Sequence, residues 1–159
     1  MNRDIDDIDR QILTALQNDG AISNAELARR ISLSPPAVHA RIKRLEELGY
    51  IKQYLALLNR ELLGYDMLCM VSVTLQRHQP EQIDSFHDVV RGMPEVLECY
   101  FLTGDHDYLL KVVVRNRKEL ERFLMDKLTR IPGVARVSTS LVLGEIKQTL
   151  SLPLERDAD

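Results

Sequence analysis

The residues with the clearest chemical purpose are basic and lie close together. Between Asn24 and Gln53 the chain carries Arg29, Arg30, Arg41, Lys43, Arg44 and Lys52 against Glu26, Glu46 and Glu47. Six cations against three anions form a local basic patch in a chain whose net charge is −3. Clustered cations neutralise phosphates and release counterions, the sequence-independent part of binding to duplex DNA. A second group could capture a small polar molecule. Gly104 permits a tight turn, Asp105 and Asp107 can pair with an ammonium group, and Ser138, Thr139 and Ser140 add hydroxyls to an otherwise apolar strand. Gly-Asp-His-Asp is equally an ordinary polar turn, since those residue types dominate turns.

The basic cluster needs helices to present it. Leu27, Ala28 and Ile31 are at helical spacing, which predicts a helix over Asn24–Ile31 with Asn24 capping its free N–H groups. Ser32-Leu33-Ser34 forms a break. Ser34 then suits an N-cap and Pro35 the first helical position, where no backbone bond is lost. The second helix is expected to run from Pro35 to Leu48 and stop at Gly49, with Val38, Ile42 and Leu45 as its buried stripe. Pro36, Ala40, Lys43 and Glu47 then point outward, with His39 and Arg44 on the flanks and Arg41 beside the stripe. This is the layout of a helix-turn-helix, whose second helix enters the major groove. Ser34, His39 and Lys43 are the candidates for base or near-base contact. Arg29, Arg30, Arg41, Arg44 and Lys52 are the candidates for phosphate.

Another helix, Asp6–Asn18, precedes this pair. Ile8, Ile12, Ala15 and Leu16 form its stripe, and Asp6 with Asp9 resembles a capping box. Residues 1–23 are acidic, with five aspartates against two arginines. After Gly49, Ile51–Leu58 reads as a wing or exit strand and Asn59–Asp66 as a linker. The rest of the chain alternates between two periods. Strands are expected at Met67–Gln76, Val96–Leu102, Tyr108–Arg115 and Val134–Leu143. Helices are expected at Glu81–Arg91 and Arg117–Arg130, the latter capped by Asn116. The order βαββαβ is the ferredoxin-like pattern. The fold class is therefore α+β: a three-helix, winged helix-turn-helix domain (1–53), an exit strand and linker (54–66), and a ferredoxin-like domain with a C-terminal extension (67–159). Apolar residues alternate onto both faces of the strands, so the face opposite the helices is expected to meet a second subunit.

With 159 residues, 45% of them hydrophobic and 28% charged, the chain has an ordinary globular balance. No apolar run approaches the roughly 20 residues of a membrane span. Asn2–Arg10 is too charged to be a secretory core. A cytoplasmic protein is expected. Cys69 and Cys99 lack metal or redox spacing and are expected to be buried thiols without a disulfide. His78 and His87 are expected to be surface polar residues. Asp105, His106 and Asp107, adjacent on a turn, do not converge on one ion. With no nucleophile motif and no phosphate-binding glycine loop, neither an enzyme nor a bound cofactor or metal is expected.

Taken in order, these motifs resemble the Lrp/AsnC (feast/famine) family of prokaryotic transcription regulators over nearly the whole chain. Ile5–Leu13 is similar to the family's opening helix, and Asn24–Ala28, Leu33–Pro35 and Val38–Glu46 to its helix-turn-helix. Gly49-Tyr50-Ile51, Tyr54 and Leu63-Gly64 match the exit segment. Pro94-Glu95-Val96, Thr103–Leu110, Ser138–Ser140, Ile146–Thr149 and Leu152-Pro153-Leu154 match the ligand-binding half. The resemblance implies a dimer joined through the C-terminal sheets, often assembled into octamers, on palindromic operators. It also implies a small effector, usually an amino acid, bound between dimers near Thr103–Tyr108. The site so implied takes in Tyr100, Leu102, Thr103, Gly104, Asp105, Asp107 and Tyr108, with Ser138, Thr139 and Ser140 from the last strand of a neighbour. The DNA-facing set it implies adds Asn24 and Pro36 to the residues above. An architectural DNA-organising protein that never uses an effector would share every one of these features.

Overall fold

The computed structural model describes residues 5–77 and 79–154, in two compact units. One comprises Met1–Leu57 with Lys147–Asp159, the other Leu58–Ile146. Lys147–Leu154, expected to belong to the second domain, is therefore grouped with the first. His78 lies outside the described residues.

The first unit is built on three helices, α1 (Asp7–Asn18), α2 (Asn24–Ile31) and α3 (Pro35–Glu47). Local chemistry sets each start. The Asp6 carboxylate accepts from the Asp9 amide at 2.8 Å while the Asp9 carboxylate accepts from the Asp6 amide, a reciprocal capping box. The cap of α2 is Ser23, one residue before the expected Asn24; its hydroxyl accepts from the Glu26 amide. Ser34 caps α3 ahead of two prolines. Ser32 closes α2 in the left-handed region at φ 57°, and Gly49 at φ 78° follows the end of α3. Ile12, Leu13, Leu27, Ala28, Val38, Ile42 and Leu45 form the buried core. All three residues of the expected α3 stripe are among them.

Among the described residues the segment expected as an exit strand, Ile51–Leu58, joins no sheet ladder. A strand needs a ladder partner, and the first unit offers only helices. Tyr54 nonetheless ties the segment back, its hydroxyl donating to Glu46 at 2.9 Å.

In the second unit four strands, β1 (Met67–Leu75), β2 (Val96–Phe101), β3 (Tyr108–Val114) and β4 (Val134–Leu141), form one antiparallel sheet in the order β2-β3-β1-β4. Helix α4 (Pro80–Arg91) follows β1, and α5 (Arg117–Arg122) follows β3. This is the ferredoxin-like arrangement. Cys69, Val71, Val73, Phe86, Tyr108, Leu110, Val112, Phe123 and Leu128 lie in its core.

The expected single helix over Arg117–Arg130 instead continues from α5 into a π turn, Phe123–Lys127, and a 3₁₀ turn, Leu128–Arg130. The reason is packing. Phe123 and Leu128 are both buried, five residues apart, and an α-helix would point them well away from each other. The wider π turn brings i and i+5 towards one face.

The sheet face away from the core is more polar than its sequence suggested. Leu68, Met70, Leu109 and Val113 alternate onto it, but so do Ser72, Thr74, Lys111, Arg136, Ser138 and Ser140. Cys69 is buried as expected, and burial raises its thiol pKa. Cys99 is exposed instead, because β2 is an edge strand and four of its six residues lie open to solvent.

Candidate functional site

Helix α3 carries its charges on two faces with different uses. On the inner side the Arg41 guanidinium reaches Asp9 at 2.7 Å and Asp6 at 2.8 Å, and Arg44 reaches Asp9 at 3.1 Å. Asp9 is only 1% exposed. A buried carboxylate needs such partners, because an unpaired charge away from water is costly. The backbone amide of Asp9, then Arg41, holds the Asp6 carboxyl below its usual pKa of 3.8. Asp6 and Asp9 in turn hold Arg41 protonated. The network fixes α3 against α1.

On the outer side Pro36, His39, Ala40, Lys43 and Glu47 are exposed. Lys43 has a 3.8 Å contact with Glu47, both solvated, which is a weak restraint. Asn24 does not cap α2; its side-chain amide lies 3.4 Å from Nδ1 of His39 and links the two helices. Arg29 and Arg30, both exposed, share Glu26 in the last turn of α2, with Arg30 Nε at 3.0 Å. The Ser34 hydroxyl accepts from the Ala37 amide at 3.4 Å, and Lys52 is exposed. This exposed face carries Lys43 and Glu47 as its charges, with Pro36 and Ala40 as its small uncharged positions.

The β2–β3 loop in the second unit is held mainly by its backbone. Leu102 donates to the Asp107 carbonyl at 2.8 Å, Asp107 donates to Val73 at 3.0 Å, and Gly104 turns the chain at φ 128°. That angle excludes most side chains at 104. The Asp107 carboxylate accepts from the Leu75 amide at 2.7 Å, so it secures the end of β1. Tyr108, expected to contact a ligand, is a core residue. Its ring stacks on Phe86 at 4.4 Å and its hydroxyl meets His87 Nε2 at 2.9 Å. Burial raises its pKa. The strict alternation of β3 explains this placement, because Tyr108 shares a face with Leu110 and Val112. His87 is likewise a half-buried partner of Tyr108 and no surface residue.

Leu102, Thr103, Gly104 and Asp105 remain exposed at the loop. Tyr100 is exposed on β2, its hydroxyl donating to Glu98 at 2.5 Å, which raises the Tyr100 pKa. Ser138 and Ser140 share the uncovered face with Tyr100, opposite Ser72 and Met70, while Thr139 points to the other face. β2 and β4 are the two edges of the sheet, about 14 Å apart at the usual strand spacing. One chain therefore brings the loop residues together but leaves Tyr100 and the β4 hydroxyls at opposite edges.

Sequence reasoning missed the Asp6/Asp9–Arg41/Arg44 network. Its signal was present: two acids three apart on α1 and two arginines three apart on α3, each pair on one helix face. It also missed the Tyr54–Glu46 bond, which carries no short-range signal.

Comparison with known proteins agrees over almost the full length. The Lrp/AsnC ligand binding domain matches residues 68–152, and a winged helix-turn-helix DNA-binding domain matches residues 5–52. The leucine-responsive regulatory protein of Escherichia coli K12 is 41% identical over 153 residues, covering 96% of this chain and 93% of that one. The Klebsiella pneumoniae protein of the same name matches equally well. Among solved structures, a Neisseria meningitidis transcriptional regulator in complex with L-Met superposes with a TM-score of 0.91 at 39% identity, covering 94% of this chain and 97% of that one. Escherichia coli AsnC superposes with a TM-score of 0.85 at 28% identity, covering 94% and 99%.

Proposed function

The chain belongs to the Lrp/AsnC family of transcription regulators, and from that membership we propose how its two units divide the work. It is a DNA-binding regulator with a ligand-binding domain, not an enzyme. Helix α3 reads the major groove through Pro36, His39 and Lys43, with Ser34 at its N-terminus and Asn24 supporting His39. Arg29, Arg30, Arg44 and Lys52 contact phosphate. Arg41 serves mainly to hold α3 in place.

The effector is an amino acid. It binds at Leu102–Asp105 and is completed by Tyr100 or by the β4 hydroxyls of a second copy. The separation of those groups within one chain favours a site shared between subunits. A homodimer, built up towards an octamer, provides both that site and two α3 helices for a palindromic operator. The protein acts in the cytoplasm; no helix among its described residues is long and apolar enough to cross a membrane. The effector changes DNA occupancy only through a difference in its affinity for the assemblies.

The observation that carries this reading is the division of α3 into a face fixed to a buried carboxylate and an exposed face that presents His39 and Lys43. A thermal-shift screen against the twenty amino acids, with oligomer size measured for each hit, tests the effector half. A ligand of the native state raises the melting temperature by mass action. A hit that also changes oligomer size supports the reading. No shift at millimolar concentration supports an architectural protein that works without an amino acid.

A further inference from the structure

After β4 the chain returns to the first unit and is gripped there by one side chain. Gln17, in the last turn of α1, spans the backbone of Leu152 with both ends of its amide. Its Nε2 donates to the Leu152 carbonyl at 3.1 Å, and its Oε1 accepts from the Leu152 N–H at 2.6 Å. This is the pairing a neighbouring strand would make, supplied by a side chain. Two residues on, Leu154 packs against the helix-turn-helix core at a groove of about 490 Å³ that Ala15, Leu27 and Ile31 help line. Pro153 lies between them and holds the backbone extended. The Thr149 hydroxyl accepts from Ser151 N–H at 3.1 Å and shapes the approach.

We propose that Ser151–Leu154 is a strap, a built-in peptide ligand of α1, that carries the state of the ligand-binding unit to the DNA-binding unit. Topology supplies the reason. The two units are joined once near Leu57–Leu58 and again at Ile146–Lys147, so the strap closes a second connection. That connection begins on β4, the strand whose Ser138 and Ser140 are assigned to the effector. Five residues, a reach of at most about 18 Å, separate the end of β4 from Lys147, so the strap is tied to that strand by a short stretch of chain. The inference rests on the effector reading above. The double connection also limits the freedom of each helix-turn-helix, which raises the effective concentration of the second one once the first has bound.

Gln17→Ala is the direct test. Gln17 is outside the core and the DNA face, and alanine favours helix, so the variant should fold. Leu154→Asp removes the apolar anchor independently. Each variant is compared with wild type on a palindromic duplex recovered by binding selection and on its half-site, with and without L-leucine or L-methionine.

Without an amino acid, both variants should bind the palindrome about three- to tenfold more weakly while half-site affinity stays unchanged. Amino-acid binding by calorimetry should be unaltered, and the amino-acid-induced change in palindrome affinity should be largely lost. If both variants bind and respond as wild type does, the strap proposal is overturned. If wild type itself neither binds nor responds to an amino acid, the effector reading fails; the amino-acid-free comparison still decides whether the strap holds the DNA-binding unit. Equal loss on palindrome and half-site would mean damage to the fold and would also overturn the strap, a result the protein's melting profile would corroborate.

Discussion

The tip of α3 and the β2–β3 loop are both polar segments on the surface of small units, yet each spends its side chains differently. On α3 the division follows helical geometry: Arg41 faces α1 and is anchored to a buried carboxylate, while His39 and Lys43 face outward, exposed, with only solvated partners in Asn24 and Glu47. In the loop the division falls along the chain. Thr103, Gly104 and Asp105 are free, whereas Asp107 and Tyr108 are held by Leu75, Phe86 and His87. A charged or aromatic residue beside a binding surface can therefore belong to the scaffold, and its residue type does not reveal which.

The sharpest way to break this comparison is to remove the anchor from α3. Asp9→Ala leaves Arg41 facing a site without its buried carboxylate and should cost about 2–4 kcal/mol. Differential scanning calorimetry should show the loss in the first unit while the second melts as before. A wild-type melting profile for this variant would mean that α3 is not held by charge.

Lys43→Ala probes the free face. It should weaken operator binding by roughly tenfold and flatten the salt dependence, with melting unchanged. On the loop, Asp107→Ala should cost about 1–2 kcal/mol of stability in the second unit, since it strands the Leu75 amide. Asp107→Asn, which keeps an acceptor, should recover most of it. An unchanged melting profile for Asp107→Ala would return that carboxylate to the ligand.

Two pH effects sharpen the contrast further, because both lie in the first unit. Burial, then the bond to Glu46, pushes the Tyr54 pKa from 10.0 up to about 12. A raised pKa means that the neutral phenol is favoured in the folded protein. Its contribution is complete below pH 10 and lost as pH rises through about 12. Tyr54→Phe should abolish that alkaline component of the melting curve. Asp6 behaves oppositely: its lowered pKa stabilises above 3.8, and the contribution is lost as pH falls through the folded value. The smallest effect is at Ser32, left-handed at φ 57°, where Ser32→Gly should stabilise the first unit by about 0.5–1 kcal/mol, measured by chemical denaturation.

Most of the fold was legible because its signals are local. The stripe Val38, Ile42, Leu45 and the caps Asp6 and Ser34 act within one turn of helix, and sequence spacing reports them directly. The errors share a different origin. Ile51–Leu58 has strand composition but joins no ladder among the described residues, and the π turn at Phe123 answers the packing of Leu128. The placement of Lys147–Leu154 depends on contacts more than a hundred residues away, such as Gln17 with Leu152. Site residues were legible as types and less so as roles, for the same reason.

The measurement that tests the central claim most directly is a titration of selected operator DNA with wild type, Lys43→Ala and Asp9→Ala, each with and without L-methionine. The account predicts that Lys43→Ala loses DNA affinity with its fold and amino-acid binding intact. It predicts that Asp9→Ala loses both fold and affinity in the first unit alone, and that L-methionine or a related amino acid changes the wild-type affinity. Wild-type affinity in Lys43→Ala would contradict the assignment of α3 as the reading helix.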